Sequence, residues 1–313
     1  MKIAVVGIGG VGGYYGALLA RHYSDKKDCE IVFIARGKHL EEIKASGLQL
    51  LTEKENFTVK PDRATDNPSR CGTFELVLFC VKGYDLEEST KLIAPHIDEN
   101  TIIISLLNGV DNAERLKSIL RKGKVLNGCV YIGAHILRPG VVRQVGGSCK
   151  LFFGNESDEI IDGKKIKNTL KAANIDAEYR KDIRNIVWEK YLFISPFANA
   201  TTFLNKTMRE LLDSAEGKKL LEGLLWEVVN IAKAQSVKIP ENIKEVTISK
   251  ASAFPYETKT SMQMDFEKGK KAEIETFTGY IVKEGRKHQI PVPNHEMVYE
   301  ALQKRGHLVR NLT

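Results

Sequence analysis

Ile3-Ala4-Val5-Val6 runs directly into Gly7-Ile8-Gly9-Gly10-Val11-Gly12, and the apolar stretch Tyr14–Tyr23 follows. A buried-type strand, a glycine loop and a helix in this order form the start of a dinucleotide-binding unit. The first glycine allows the tight turn, the second lets backbone approach a pyrophosphate, and the third lets helix and strand pack closely. The helix N-terminus offers unpaired N–H groups to phosphate oxygens. A bare GxGxxG is a weak signal, and its position between strand and helix makes it specific.

Outward from this loop, the first half of the chain alternates strand and helix. Apolar runs predict strands at 2–6, 30–35, 75–81, 101–106 and 124–131, with helices at 11–23, 38–46, 85–94 and 111–120. Alternating units of this kind build a parallel sheet covered on both faces. Two short apolar runs joined by Gly146-Gly147, 140–145 and 149–153, predict more β structure; an amphipathic helix at 158–172 and a short strand near 176–179 complete the unit. Beyond about residue 181 strand signals nearly vanish, and Ile183–Phe193, Met208–Lys233, Met262–Phe266 and Ile274–Val282 carry helical apolar spacing. The expected organisation is an α/β Rossmann-like domain over 1–180 and an all-α domain over 181–313.

Length and composition agree with two domains. The 313 residues suffice for two cores, and the apolar and charged fractions, 42% and 28%, are those of a globular protein. The net charge of +7 comes from 47 basic and 40 acidic residues, scattered as in Lys164, Lys165, Lys167 and Lys171. No arginine-rich stripe with interleaved aromatics points to nucleic acid. Five widely spaced cysteines with no CxxC read as free thiols of a reducing compartment, and no histidine shows zinc-ligand spacing with them. No run is long enough to span a bilayer, so the expected location is the cytoplasm. Leu220–Ile231 is apolar enough for core or for a homodimer interface, with core the default.

Ligands of open α/β sheets bind beyond the carboxyl ends of the strands. After the second strand comes Ala35-Arg36, where an NAD site usually carries an acid for the ribose. Arg36, with Lys38, suits the 2′-phosphate of NADP instead, although a solvated loop arginine is the plain alternative. Lys82-Gly83 and Asn108-Gly109 follow the next two strands of the sheet. Each alone could be a solvated lysine or a turn, but both fall on the ligand-facing edge. Two charged residues of the second half sit among apolar neighbours. At about 100° per residue, Lys190 shares its helix face with Ile183, Ile186, Val187, Phe193 and Ile194. Glu273 shares one with Phe277 and Tyr280. A structural ion pair or snorkelling side chains would explain both residues, and so would a catalytic pair.

Gly7-x-Gly9-x-x-Gly12, Val81-Lys82, Leu107-Asn108-Gly109, Gly133-Ala134, Pro139-Gly140, Trp188-Glu189-Lys190, Ser261-Met262-x-x-Asp265, Glu273-Ile274-Glu275, Gly279 and Pro293-Asn294 occur in that order. In these pieces and their spacing the chain resembles the ketopantoate reductase (2-dehydropantoate 2-reductase) family over nearly its whole length. The resemblance implies NADPH-dependent reduction of ketopantoate to pantoate, a step toward pantothenate and coenzyme A. It also implies a helical domain of the 6-phosphogluconate dehydrogenase C-terminal type and an active site between the domains. By match, Lys190 is the general acid, Glu273 orients cofactor and lysine, and Asn108 contacts cofactor and substrate. Gly7, Ile8, Gly9, Gly10, Val11 and Gly12 bind the cofactor, Lys82 and Arg36 hold its phosphates or ribose, Ala134 borders it, and Ser261 binds the substrate carboxylate.

The chain departs from the family where substrate is held. Asparagines typically occupy the positions one and two turns after the catalytic lysine, and another lies three residues before the serine; here those places hold Ile194, Ala198 and Thr258. Asn199 and Asn205 are nearby substitutes out of helical phase. Three readings follow: reductase of ketopantoate, reductase of a less polar 2-oxo acid, or an NADPH-binding regulatory protein without turnover. An opine-type or 3-hydroxy acid dehydrogenase is a further class, for which His96 and His135 are the candidate histidines.

Overall fold

The computed structural model describes residues 1–155 and 161–310. The described chain forms two compact units, Met1–Ile186 and Val187 onward.

The first unit is built on an eight-stranded sheet. In chain order its strands and those of a smaller sheet are β1 (Lys2–Val6), β2 (Glu30–Ile34), β3 (Leu48–Leu51), β4 (Asn56–Val59), β5 (Arg63–Thr65), β6 (Leu76–Phe79), β7 (Ile102–Ser105), β8 (Lys124–Val130), β9 (Gly133–Arg138), β10 (Val141–Gly146), β11 (Leu151–Gly154) and β12 (Ala177–Tyr179). The large sheet runs β12-β11-β8-β7-β6-β1-β2-β5, with β11 antiparallel to β8 and the other pairs parallel. Helices α1 (Gly10–Tyr23), α2 (Gly37–Ser46), α3 (Leu86–Ile93), α4 (Asn112–Ile119) and α5 (Gly163–Ala172) accompany it. The helix expected over 158–172 is seen as α5; residues 158–160 lie outside the described residues. Ile3, Ala4, Val5, Ile31, Val32, Phe33, Val77, Leu78 and Phe79 are fully buried, as runs apolar on both faces require.

A second sheet of order β4-β3-β10-β9 is an addition to the expected pattern. Its centre pairs β10 in parallel with β3, joining Val141–Arg143 to Gln49–Leu51. Helix α1 packs on this sheet as well as on the large one. A Cβ at Gly13 would meet the Val142 side chain at 2.6 Å, and one at Gly16 would meet Phe33 at 3.1 Å. The glycines of α1 therefore let one helix lie tightly between two sheets.

The second unit is helical: most of α6 (Ile183–Leu204), then α7 (Met208–Asp213), α8 (Ala215–Ala234), α9 (Ile243–Ser252), α10 (Ser261–Glu267), a π-helical turn Glu275–Gly279, α11 (Tyr280–His288) and α12 (Pro293–Arg310). The single helix expected over Met208–Lys233 breaks at Ser214, whose extended backbone and side chain cap Gly217 N–H to start α8. Leu220, Leu221, Leu224, Leu225, Val228, Val229 and Ile231 of α8 are core. Glu227 caps the start of α12 from a distance. It accepts from the backbone N–H of Asn294 (2.8 Å) and His295 (2.9 Å) and lies 2.6 Å from His295 Nδ1. Burial pushes the fully enclosed His295 below its ordinary value, against the pull of Glu227. Among the described residues no helix is long and apolar enough to cross a membrane.

Candidate active site

The strands at the centre of the large sheet end in register. Val6 is level with Ile34 and Phe79, and Phe79 with Ser105. The segments that follow, Gly7 onward, Ala35-Arg36, Lys82 and Asn108, therefore leave one edge of the sheet. That edge is also where the strand order reverses, with β2 on one side of β1 and β6 on the other.

Each glycine of the loop has its own role here. Gly7 has φ +89, and its N–H donates to Ile34 O at 2.9 Å, so the turn is tied to the neighbouring strand. A Cβ at Gly9 would meet no heavy atom of the described residues within 4 Å, so the loop faces open space there. Gly9 is also the N-cap of α1 and has no side chain to satisfy the first-turn N–H groups. Open space in front of uncapped N–H groups fits a pyrophosphate. By contrast, a Cβ at Gly10 would collide with the Ala134 carbonyl, and one at Gly12 with the Gly7 carbonyl. Ala134 thus abuts the start of α1, and the third motif glycine serves the turn as well as the contact with Cys80 of the strand side.

Arg36 is the N-cap of α2, and its guanidinium donates to Asp85 Oδ2 at 2.6 Å. Asp85 was not picked out by the sequence, since the two residues follow different strands. It ends a 3₁₀ turn, Gly83–Asp85, for which the half-buried Lys82 is the N-cap. Asp85 N–H donates to Lys82 O at 2.9 Å, and Arg115 of α4 donates to Gly83 O at 3.2 Å. Asn108 is half-buried, and its carbonyl accepts from the Asn112 side chain at 2.9 Å. His96 is buried with Nδ1 2.8 Å from Gly72 O, a structural contact, and His135 is an exposed residue of β9.

In the second unit Lys190 is half-buried on α6, and Glu273 is 3% exposed just before the π-helical turn. The adjoining face of α6 fastens to that turn. Tyr191 OH donates to Thr276 O (2.9 Å), Ser195 Oγ to Phe277 O (2.8 Å) and Asn199 Nδ2 to Phe277 O (3.1 Å). The Thr278 hydroxyl donates back to Asn199 Oδ1. A π-helical ladder is out of step with an α-helical one, and these side chains satisfy the buried carbonyls that result. Phe277 N–H closes the segment on Glu273 O at 3.1 Å. The turn of α6 that carries Lys190 is thereby set beside the turn that begins at Glu273.

The next face of α6 is apolar. Ala198 is buried and Ile194 half-buried, and Phe193 stacks on Phe254 with ring centroids 6.1 Å apart. Asn199 is no substitute for the absent asparagines, because it is fully buried and committed to Phe277, Ser195 and Thr278. Asn205 is exposed with φ +53 just past the end of α6, the place of a left-handed helix cap. Ser261 is the exposed first residue of α10. The preceding Thr260 caps that helix and meets Thr201 of α6, oxygen to oxygen, at 2.8 Å.

Comparison with known proteins gives a consistent picture. The family model "Ketopantoate reductase PanE/ApbA" matches residues 3–157, and the model of its C-terminal part matches residues 182–306. The chain is 27% identical to the "uncharacterized oxidoreductase YkpB" of Bacillus subtilis (strain 168), over 97% of this chain and 98% of that protein. The crystal structure of a 2-dehydropantoate 2-reductase from Porphyromonas gingivalis W83 is 35% identical, with a TM-score of 0.83 over 96% of this chain and 99% of the other. That of a PanE/ApbA family protein from Ralstonia eutropha JMP134 is 28% identical, with a TM-score of 0.90 over 99% and 100%.

Proposed function

The chain belongs to the ketopantoate reductase family, and on that premise we propose that it reduces a 2-oxo acid to the 2-hydroxy acid with NADPH, ketopantoate being the first candidate substrate. The observation that carries this reading is the fastening of α6 to the π-helical turn by Tyr191. It holds Lys190 and Glu273 on adjoining turns, although they are far apart in sequence.

The Gly7–Gly12 segment is the pyrophosphate site, with Arg36 and Lys82 holding the remaining phosphate and ribose and Ala134 bordering the cofactor. Bound NADPH supplies the hydride. Lys190 donates a proton to the carbonyl oxygen and, as an ammonium, stabilises the negative charge that develops there. Glu273 orients Lys190 and the cofactor by hydrogen bonds, Asn108 positions cofactor and substrate, and the Ser261 hydroxyl donates to the carboxylate end of the substrate. A cytoplasmic location fits the free state of all five cysteines.

One observation favours a second substrate reading. With Ile194 and Ala198 on the face of Lys190, and Asn199 committed elsewhere, this wall offers no amide to a polar substrate. A less polar 2-oxo acid loses nothing at such a wall, whereas a substrate hydroxyl would lose a partner. Initial rates of NADPH oxidation over a panel of 2-oxo acids, ketopantoate included, test the proposal. Turnover of at least one supports it, and the ranking by kcat/KM assigns the substrate. Tight NADPH binding with no turnover across the panel would replace it with a regulatory role.

A further inference from the structure

An acid is missing from the end of β2, and one reaches the same place from after β6. Arg36 is 69% exposed and its side chain lies on Asp85, which is 18% exposed. Asp85 is the better fixed of the two, because its turn is closed by its own N–H on Lys82 O and braced by Arg115 on Gly83 O. The arginine has room to turn elsewhere: the adjoining Gly37 is so open that a Cβ there would meet no heavy atom of the described residues within 4 Å.

We propose that Asp85 is a cofactor-discriminating residue, one that lowers the preference for a ribose 2′-phosphate over a 2′-hydroxyl and lets the protein accept NADH as well as NADPH. The proposal rests on reading Gly7–Gly12 as a nicotinamide dinucleotide site. A phosphate that approaches Arg36 must take the guanidinium from Asp85 and then sit near a carboxylate carried on a turn whose backbone is held at Lys82 and Gly83. Like charges a few ångströms apart repel, and the repulsion acts against NADPH alone. A 2′-hydroxyl carries no charge and can donate to a carboxylate, as it does to the acid of an NAD site. The Arg36–Asp85 pair is exposed enough to be broken, so the preference for NADPH is reduced rather than abolished.

Fluorescence titration with NADPH and NADH of the wild type, Asp85→Asn, Arg36→Ala and the double variant tests this. The wild type is expected to bind both cofactors within about tenfold of each other. Asp85→Asn is expected to raise the NADPH-to-NADH affinity ratio by about tenfold. In the Arg36→Ala background Asp85→Asn should still raise the ratio, because the carboxylate repels the 2′-phosphate and accepts from the 2′-hydroxyl directly; an unchanged ratio there would overturn that direct action. A ratio unchanged by Asp85→Asn, in a protein that binds both cofactors, would overturn the role of Asp85 and leave the dinucleotide site standing. Failure of the wild type to bind either cofactor would overturn both.

Discussion

Tyr191 OH donates to the Thr276 carbonyl at 2.9 Å, joining the residue after Lys190 to the turn that follows Glu273. Both ends of this bond are buried, and Tyr191 also stacks on Phe277 with ring centroids 6.3 Å apart. Tyr191→Phe keeps the ring and removes the donor. It is expected to cost about 1–2 kcal/mol of stability, the price of a buried carbonyl left without its partner. It should also lower kcat more than it raises KM. Urea unfolding and steady-state kinetics on one preparation check both, and wild-type kcat in a destabilised variant would limit Tyr191 to a structural role.

Lys190→Ala should lower kcat by about 10²- to 10⁴-fold, the usual worth of a positioned acid, while NADPH still binds. The pairing of Glu189 with Lys250 at 2.8 Å and the stacking of Phe193 on Phe254 remain to hold α6. Circular dichroism and cofactor titration of the variant distinguish loss of chemistry from loss of fold.

Two neighbouring glycines should respond in opposite ways. Gly9→Ala has space for its methyl group, so the protein should fold normally and lose about tenfold in dinucleotide affinity. Gly10→Ala drives its methyl group into the Ala134 backbone and should cost about 1–3 kcal/mol of stability. Thermal melts with and without NADPH read both effects.

How much of this was legible beforehand depends on how local each signal is. The Gly7–Gly12 loop, the strands around it and the helical second half declare themselves in short windows of sequence. The small sheet does so only in part: the run 140–145 reads as β structure, but its parallel pairing with Leu48–Leu51, far away in the chain, and the strands β4 and β9 on the outer sides do not show in any short window. Pro196 ordinarily marks a helix boundary, yet α6 continues to Leu204, held beyond the proline by Asn199 on Phe277 O. The site shows the same division. Arg36 was visible as the residue in an acid's place, whereas Asp85 was not, because its contact with Arg36 follows from sheet order. Likewise Asn199 looked available in the sequence and is committed in the fold.

Acid should destabilise the second unit in two steps. Burial lowers His295 below its ordinary value, so the unfolded chain takes up a proton that the folded one refuses. The stabilisation is fully present above about pH 6.5 and is lost as the pH falls through the lowered value, with a slope of up to about 1.4 kcal/mol per pH unit. Glu227, which burial raises and its bonds to His295 and Asn294 lower by more, adds a loss of the same sign at more acidic pH. Unfolding midpoints measured from pH 7 to pH 4 should fall, and His295→Asn should flatten the first part of the decline.

Restoring amides to the wall beside Lys190 should change substrate choice. Ile194→Asn with Ala198→Asn is expected to raise kcat/KM for ketopantoate, relative to an apolar 2-oxo acid, by about tenfold or more. An unchanged ratio would mean that these two positions do not meet the substrate.

The most direct measurement is the fate of the hydride. The wild type and Lys190→Ala are incubated with NADPH carrying deuterium at the reactive carbon and with the best 2-oxo acid of the panel, and the product is examined by NMR. A 2-hydroxy acid with one deuterium at C2 is expected from the wild type, and nearly none in the same time from Lys190→Ala. A wild type that binds the cofactor yet delivers no deuterium to any 2-oxo acid would contradict the assignment as a reductase.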